Sequence, residues 1–236
     1  MPTAGLVIIG NEILTGKFPD ENGPWLIRRL RTLGCDLLRI SIIPDALDEI
    51  AEEVALQSAR FDWVFTTGGV GPTHDDITFA GVAQAFGLGL EHHPELVAVL
   101  RAKLGDRCNT AALKMAEVPV GSELWWDGGV IYPLTVVKNV CVFPGVPSLL
   151  QLKFEKVAHR FVGVPLLTRR RTTTATEPEI ADTLTEAARR WPEVAIGSYP
   201  RLDETPIVVI VTLESRDEAA LIACDRFLRA AGHGLE

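Results

Sequence analysis

The chain has 236 residues, of which 47% are hydrophobic, and its formal net charge is −8. This length suits one large and one small domain, and the hydrophobic content excludes a disordered chain. The acidic balance argues against general nucleic-acid binding, and no apolar run reaches the roughly 18 residues of a membrane span. The N-terminus has no basic leader, so a cytoplasmic protein without a secretory signal is expected.

Four cysteines are scattered along the chain without a C-x-x-C pair. Cys35 and Cys141 lie within apolar runs, where a free thiol behaves as a small core side chain. A zinc site needs clustered cysteine or histidine ligands, so a structural place in the core is expected for both. Free thiols also fit the reducing cytoplasm.

The first two-thirds of the chain alternate apolar runs with helical patterns, which is typical of βαβ units around a mainly parallel sheet. The expected strands are Ala4–Ile9, Asp36–Ile43, Trp63–Phe65 and Asn139–Phe143. The expected helices are Pro24–Leu33, a helix capped by Asp45 that ends near Ser58, a helix from Thr78 to Gly87, Pro94–Leu104, Thr110–Ala116 and residues 148–161.

A domain boundary is expected near Val162–Thr168, where Gly163 and Pro165 interrupt the pattern. Residues 1–165 then form one domain and residues 166–236 form a small α+β domain. The expected elements of the small domain are a strand at Arg170–Thr174, a helix from Pro178 to Arg190, strands at Glu193–Ser198 and Ile207–Leu213, and a helix from Asp217 to Ala230. The run Arg169–Arg171 is compatible with nucleic-acid contact, but solvated surface charge is the simpler interpretation.

Two polar loops follow the first and third expected strands, at residues Gly10–Gly16 and Thr66–Thr78. Ligands of open parallel sheets bind at the carboxyl ends of the strands, where both loops begin. Gly68, Gly69 and Gly71 allow positive φ and a close approach of the backbone to a ligand. The exposed amides and the start of the next helix attract an anion, so the second loop predicts a phosphate site.

Asp75 and Asp76 suit a phosphate loop if a hard divalent cation bridges them to the phosphates, and such a metal also activates water. Simpler interpretations remain open for these loops. Asp75 is also compatible with a helix cap, Glu12 with an exposed loop acid, and His74 with a solvent-facing residue rather than a catalyst.

Three common motifs are absent from the sequence. There is no G-x-x-x-x-G-K-[ST] phosphate loop and no G-x-S-x-G elbow. The pattern G-x-G-x-x-G fails at its last glycine, since Gly71 is followed by Pro72, Thr73 and His74.

Three ordered motifs, Gly10–Gly16, Thr67–Thr78 and Phe143–Pro147, together resemble the molybdopterin-binding (MoaB/Mog-like) superfamily. Within it they resemble the N-terminal region of competence/damage-inducible protein A (CinA), a module that is also fused to eukaryotic FAD synthases. The similarity covers residues 4–161, and Val194–Pro200 resembles the small domain that follows in this branch. The resemblance implies a three-layer α/β/α fold, and neither a deamidase nor an FAD-synthesising domain is expected here.

Relatives in this superfamily bind molybdopterin or split dinucleotide pyrophosphates such as ADP-ribose and FAD with a divalent metal. By motif, Asp76 matches the superfamily acid after the glycine-rich loop, Asp75 matches the extra acid of the CinA-like branch, and Asp20 and Asn22 match a polar pair that faces the ligand. The candidate catalytic residues are Asp76, Asp75 and Asp20. The candidate metal ligands, for Mg²⁺ or Co²⁺, are Asp75, Asp76 and Glu12. The candidate ligand-binding residues are Asn11, Glu12, Asn22, Thr67, Gly68, Gly69, Val70, Gly71, Pro72, Thr73, Thr78, Gly145 and Pro147.

The sequence departs from the superfamily before the last strand of the first domain. Relatives carry an Asn and an Ala-Pro-Gly stretch, whereas this chain has Trp125 and Trp126. These rings either stack on a base or fill the core, so the organic half of the ligand stays open.

Three functions are compatible with the sequence. The first is metal-dependent hydrolysis of a nucleotide pyrophosphate bond, the second is molybdopterin binding or adenylylation, and the third is a non-enzymatic ligand-binding regulatory module. All three take a small-molecule nucleotide or pterin, and family analogy implies a homo-oligomer, either a dimer or a trimer.

Overall fold

The computed structural model describes residues 1–129, 132–203 and 205–235. The chain divides into two compact units, Met1–Gly163 and Val164–Glu236. Among the helices in the described ranges, none is long and apolar enough to cross a membrane.

The first unit alternates strands and helices over most of its length. In chain order these are β1 (Thr3–Ile9), α1 (Asn11–Leu14), α2 (Asn22–Leu33), β2 (Asp36–Ile43), α3 (Leu47–Ser58), β3 (Trp63–Thr67), α4 (Thr78–Phe86), β4 (Leu90–His92), α5 (Pro94–Leu104), α6 (Thr110–Lys114), β5 (Glu117–Pro119), β6 (Glu123–Trp125), β7 (Leu134–Val137), β8 (Val140–Phe143) and α7 (Pro147–Val157).

Six of these strands form one sheet in the order β2-β1-β3-β8-β7-β6. The first four strands in that order run parallel, while β7 pairs antiparallel with β8 and β6 pairs antiparallel with β7. Ile8 pairs with Thr67, which in turn pairs with Phe143. The carboxyl ends of β1, β3 and β8 therefore lie side by side at one edge of the sheet.

Helices cover both faces of the sheet and pack against its apolar side chains. Leu6 and Ile8 of β1 belong to a core cluster with α2 and α7, whereas Val7 and Ile9 belong to a second cluster with α3 and α4. This separation follows from the period of two along a strand, because successive side chains point to opposite faces. The predicted three-layer α/β/α domain with a mainly parallel sheet is confirmed.

A smaller apolar cluster lies beside the second core. The antiparallel pair of β4 and β5 and the helix α5 meet around Leu96, Leu100 and Val118. Cys108 and Met115, on either side of α6, pack against this cluster, and α6 itself ends at Lys114.

The strands β4, β5, β6 and β7 were not predicted from the sequence. Leu134–Val137 and Val140–Phe143 form a hairpin whose two-residue turn is Lys138–Asn139. Lys138 has a φ of 55°, which a non-glycine residue rarely adopts, so the usual glycine signal of such a turn is absent. The Asn139 amide instead holds the turn, since its Nδ2 donates to the carbonyl oxygens of Ser58 and Phe61.

Two expected helix starts are wrong, and each error has its own physical reason. The helix α2 begins at Asn22 rather than Pro24, because the Asp20 carboxylate accepts the amides of Asn22 and Gly23. Asp45 does not cap α3, where no side chain caps the first turn. The Asp45 carboxylate instead accepts the amide of Asn11 at 2.8 Å, which ties β2 to the loop after β1.

The two adjacent tryptophans have different surroundings. The Trp125 ring packs edge-on against Trp63 and beside Phe161, so it fills the core. Trp126 is 38% exposed, and its Nε1 donates to Glu95. Of the two rings, Trp126 is the more exposed and Trp125 is partly buried against the first core. Cys35 and Cys141 are buried in the core, as expected.

The second unit is a small α+β domain. Its elements are β9 (Leu167–Thr173), α8 (Glu177–Arg190), β10 (Ala195–Arg201), β11 (Val208–Ser215) and α9 (Glu218–Ala230). The strands form an antiparallel sheet in the order β10-β11-β9. The predicted small α+β domain is confirmed, with β10 extended to Arg201 beyond the expected end at Ser198.

The arginine run on β9 is partly neutralised within the second unit. Arg171 donates to both carboxylate oxygens of Asp225, at 2.6 and 2.7 Å, and Arg169 lies 3.4 Å from the same carboxylate. The Asp225 side chain is only 6% exposed. Two of the three arginines therefore serve the internal structure of this unit.

The hydrogen bonds from Arg171 hold the pKa of Asp225 below its ordinary value, and burial opposes this effect only in part. Because the folded pKa is lowered, the ionised carboxylate stabilises the fold above pH about 4, the carboxyl pKa of an unfolded chain. This stabilisation is lost as the pH falls through the folded pKa.

We expect the variant Asp225→Asn to lower the free energy of unfolding of the second unit by about 2 kcal/mol at pH 7, because it removes the charged partner of the half-buried Arg171 guanidinium. The loss should shrink as the pH falls below about 4 and should vanish only below the lowered folded pKa, where the natural side chain is itself neutral. Hydrogen exchange of the Val208–Ser215 amides across a urea series, repeated at several pH values, measures this loss and its pH dependence. Asp203→Asn, which breaks an exposed pair with Arg201, should change little. A pH-independent loss would contradict the assignment.

Candidate functional site

Three loops meet at the carboxyl edge of the sheet, and Gly68 lies between them. A β-carbon on Gly68, which has a φ of +102°, would lie 2.0 Å from the carbonyl oxygen of Ile9. A β-carbon on Gly145 would lie 3.2 Å from the Gly68 α-carbon. Only glycine permits this approach at position 68, so the end of β1, the glycine-rich loop and the loop after β8 form one surface.

The Asn22 side chain ties the start of α2 to two of these segments, the end of β3 and the loop after β8. Its Nδ2 donates to the Thr67 hydroxyl at 2.8 Å and to the Gly145 carbonyl at 2.7 Å. The Thr67 hydroxyl donates in turn to the Pro144 carbonyl. The Oδ1 atom of Asn22 is buried and accepts no hydrogen bond within the described part of the chain, which leaves one acceptor for a ligand.

The glycine-rich loop folds back onto the start of α4. The Thr78 hydroxyl donates to the Gly68 carbonyl at 2.8 Å, and the Thr78 amide donates to the Gly69 carbonyl at 3.0 Å. Within residues 1–129 and the other described ranges, the amides of Gly69, Val70 and Gly71 donate no hydrogen bond. Unpaired amides beside a helix start have the geometry that an anion site needs, and anion binding at this loop stays a prediction.

Thr73 links the two acidic residues of the loop. Its hydroxyl lies 2.6 Å from Asp75 Oδ1 and 2.5 Å from Asp76 Oδ2, and its amide donates to Asp76 Oδ2 at 2.8 Å. Two carboxylates therefore converge on one hydroxyl. The hydrogen bond from Thr73 holds the pKa of Asp75 below its ordinary value, and the charges of His74 and Lys114 act in the same direction. Asp75 caps no helix, since α4 has no side-chain cap.

The convergence of Asp75 and Asp76 suits a cation that keeps part of its coordination for phosphates. Mg²⁺ is commonly held by one or two carboxylates together with substrate phosphates and water. In the described ranges, no three histidine, cysteine, aspartate or glutamate side chains come together as a metal-ligating group. Glu12 therefore does not join Asp75 and Asp76 in such a group, and only the two aspartates fit the expected metal.

The first loop forms the short helix α1, and its polar side chains point away from the core. Asn11 and Glu12 are both exposed, and the amide of Asn11 is fixed by Asp45. The Asp20 carboxylate is occupied by the amides at the start of α2. Asp20 thus orders the segment that carries Asn22.

The remaining predicted residues border these loops. Pro147 begins α7, whose start follows the loop after β8. Pro72 is exposed at the tip of the glycine-rich loop, while Val70 packs against the second core. The His74 side chain is 98% exposed, which agrees with a loop residue.

Sequence reasoning missed Lys114. Its Nζ donates to the Thr73 carbonyl, on the residue that joins the two aspartates. Lys114 also lines a cavity of about 70 Å³ beside the loop, together with Gly71, Asp76 and Glu117 and the apolar side chains of Val70, Ile77, Phe79, Ala80 and Leu90. A lone lysine at the end of a five-residue helix, 36 residues after the loop, gives no motif by which it could have been found.

A mainly parallel sheet with a glycine-rich turn and two further loops at one edge defines an open α/β protein with a ligand crevice at its carboxyl edge. Residues 5–168 match the family described as a probable molybdopterin binding domain, and the chain belongs to that family. Residues 165–234 match the FAD synthase middle domain. The resemblance stated from the three motifs is confirmed, and membership supports a small ligand of pterin or nucleotide type.

Relatives match most of the chain. A protein from Archaeoglobus fulgidus is 37% identical over 213 residues, which cover 90% of each chain. A probable FAD synthase from Caenorhabditis elegans is 31% identical over 98% of this chain and 50% of its own length. The crystal structure of the protein CinA, of unknown function, from Thermoplasma acidophilum is 27% identical, covers 68% of this chain and 99% of that chain, and has a TM-score of 0.62.

We expect the variant Asn22→Asp to lower the free energy of unfolding of the first unit by about 2 kcal/mol, because the new carboxylate cannot donate to the Gly145 carbonyl. Urea denaturation measures this. The matched control is Asn109→Asp, since Asn109 uses its Oδ1 to accept the Ala112 amide and Asp caps a helix equally well. Equal losses in the two variants would remove Asn22 from its bridging role.

Proposed function

We propose that the first unit hydrolyses a nucleotide pyrophosphate bond, of the kind found in ADP-ribose and FAD, with the help of a divalent metal. The observation that carries this proposal is the convergence of Asp75 and Asp76 on the Thr73 hydroxyl next to three unpaired loop amides. Carboxylates repel a bare phosphate, so two of them beside an anion site favour a cation between carboxylate and phosphate.

Each part of the chain has a separate task in this reaction. The amides of Gly69, Val70 and Gly71 hold one phosphate and stabilise the charge that develops on it. The Asn22 amide keeps the loops at their spacing, and its free Oδ1 is an acceptor for a donor on the ligand. Water adds across the P–O–P bond, so the products are AMP and a second phosphate monoester.

Asp75 and Asp76 would hold Mg²⁺ or Co²⁺, which when bound neutralises phosphate charge and lowers the pKa of water. Thr73 orders the two carboxylates before any ligand arrives. Such preorganisation matters because side chains that are already fixed need no rearrangement during the reaction.

A second candidate is the binding or adenylylation of molybdopterin, which the description of the matching family favours. The same loop and aspartates would serve, since adenylyl transfer also requires a phosphate site and Mg²⁺. A pterin that copurifies with the protein, detected by its fluorescence after oxidation, would favour this candidate over hydrolysis.

Incubation with ADP-ribose, FAD and NAD, each with Mg²⁺, Co²⁺ or a chelator, tests the proposal by chromatography for AMP. We expect metal-dependent AMP release from at least one substrate. Asp76→Asn should reduce turnover by a factor of about 100 or more, because a lost transition-state charge contact commonly costs about 3 kcal/mol.

The matched control is Asp182→Asn, an exposed carboxylate on α8 in the other unit, which should keep full turnover. Unchanged turnover in Asp76→Asn would remove the catalytic role of that residue. Tight binding of one nucleotide without any cleavage would replace hydrolysis with the regulatory, non-enzymatic function.

A further inference from the structure

Lys114 is the one cationic side chain of the described site that the proposed reaction has not used. It is half-buried at the end of α6, and its Nζ contacts the Thr73 carbonyl. That contact satisfies one of the three N–H donors of an ammonium group, so two donors stay available for a ligand.

The cavity at Lys114 has the size of one group of a ligand rather than of a whole ligand. The cavity that Lys114 lines measures about 70 Å³, well below the roughly 300–1,000 Å³ of pockets that enclose a complete small molecule. Its lining combines apolar side chains such as Phe79 and Leu90 with the carboxylates of Asp76 and Glu117, and Lys114 is the one cationic side chain among the described lining residues. The cavity therefore admits one group of a ligand whose remainder lies outside.

Hydrogen bonds hold the backbone on both sides of Lys114. The Tyr132 hydroxyl donates to the carbonyl of Met115 at 2.5 Å, and Asn109 caps the start of α6. The Lys153 ammonium in turn lies 4.9 Å from the centre of the Tyr132 ring. A charged side chain whose backbone is held at both ends loses less freedom on binding, which favours a ligand contact.

We propose that Lys114 is a phosphate-binding residue and that its ammonium group pairs with a phosphate oxygen held at the glycine-rich loop. Asp75 and Asp76 hold the cation, while Lys114 and the amides of Gly69–Gly71 contact phosphate oxygens directly. This inference rests on the proposed phosphate-bearing ligand but does not depend on whether that ligand is cleaved.

Titration calorimetry with inorganic pyrophosphate and with ADP-ribose, each in the presence of Mg²⁺, tests the proposal. We expect Lys114→Met to weaken binding of both probes about tenfold or more, since a hydrogen bond to a charged group commonly contributes that much. Lys114→Arg should retain most of the affinity, because it keeps a cation on a long stem. Lys103→Met, a change to a lysine in the last turn of α5, is the control and should bind as the natural protein does.

Hydrogen exchange of the peptide that contains Thr73 separates phosphate binding from a merely structural role. The Thr73 amide donates to Asp76, so its protection reports whether the loop is intact. Preserved protection with lost affinity supports the proposal. Lost protection in Lys114→Met would mean that Lys114 only holds the loop, and this would overturn the proposal. Unchanged pyrophosphate affinity in that variant would also overturn it. So would the absence of pyrophosphate binding by the natural protein.

The outcome for Lys114 is independent of the outcome for hydrolysis. Absence of AMP release with intact, Lys114-dependent pyrophosphate binding removes the proposed reaction and keeps the phosphate-binding residue. AMP release that continues unchanged in Lys114→Met, with the same KM, keeps the reaction and removes the residue.

Discussion

A β-carbon at position 68 would lie 2.0 Å from the carbonyl oxygen of Ile9, and this close approach governs the site. It brings the glycine-rich loop against the end of β1, while Gly145 brings the loop after β8 against Gly68 itself. Asn22 can donate to Thr67 and to Gly145 at once only because these backbones are so close. The spacing of the anion site therefore depends on backbone contact more than on any charged side chain.

The electrostatics of the site depend on the groups that lie close to the glycine-rich loop rather than on the net charge of the protein. The protein is acidic as a whole, with a formal net charge of −8, yet the loop gathers unpaired amides, helix starts and Lys114 within one edge of the sheet. Fields from partial charges act mainly over the first turn of a helix and the nearest groups, so overall acidity does not prevent anion binding there. Asp75 and Asp76 add negative charge at the same place, which favours a cation as the third component.

The sequence predicted the parts of the fold that follow from strong periodicity and from glycine chemistry. Buried strands such as β1 and β8 were found within one residue, and the glycine-rich loop was found because its glycines follow a strand directly. The hairpin turn at Lys138 was missed because its signal lies in an asparagine side chain that binds Ser58 and Phe61, far away in sequence. Asp45 was misassigned for the same reason, since its partner Asn11 lies 34 residues away. Long-range polar contacts leave no periodic trace, and the contact of Lys114 with Thr73 is another of this kind.

The role of backbone amides also limits which part of a ligand the glycine-rich loop can distinguish. Backbone amides recognise a phosphate without regard to what is attached to it, so the glycine-rich loop cannot select the organic half of the ligand. Selection of the organic half must come from side chains outside the loop, and the sequence offers Trp125 and Trp126 as candidates. Trp125 is committed to the core by Trp63 and Phe161, whereas Trp126 keeps an exposed ring held by Glu95. The cavity at Lys114 is too small for a heterocycle together with its sugar, so a nucleotide with its phosphate there would have its heterocycle outside the cavity. Under the proposed function the loop and Lys114 would hold the phosphate, and selection of the organic half would fall to side chains outside the cavity, such as the exposed Trp126.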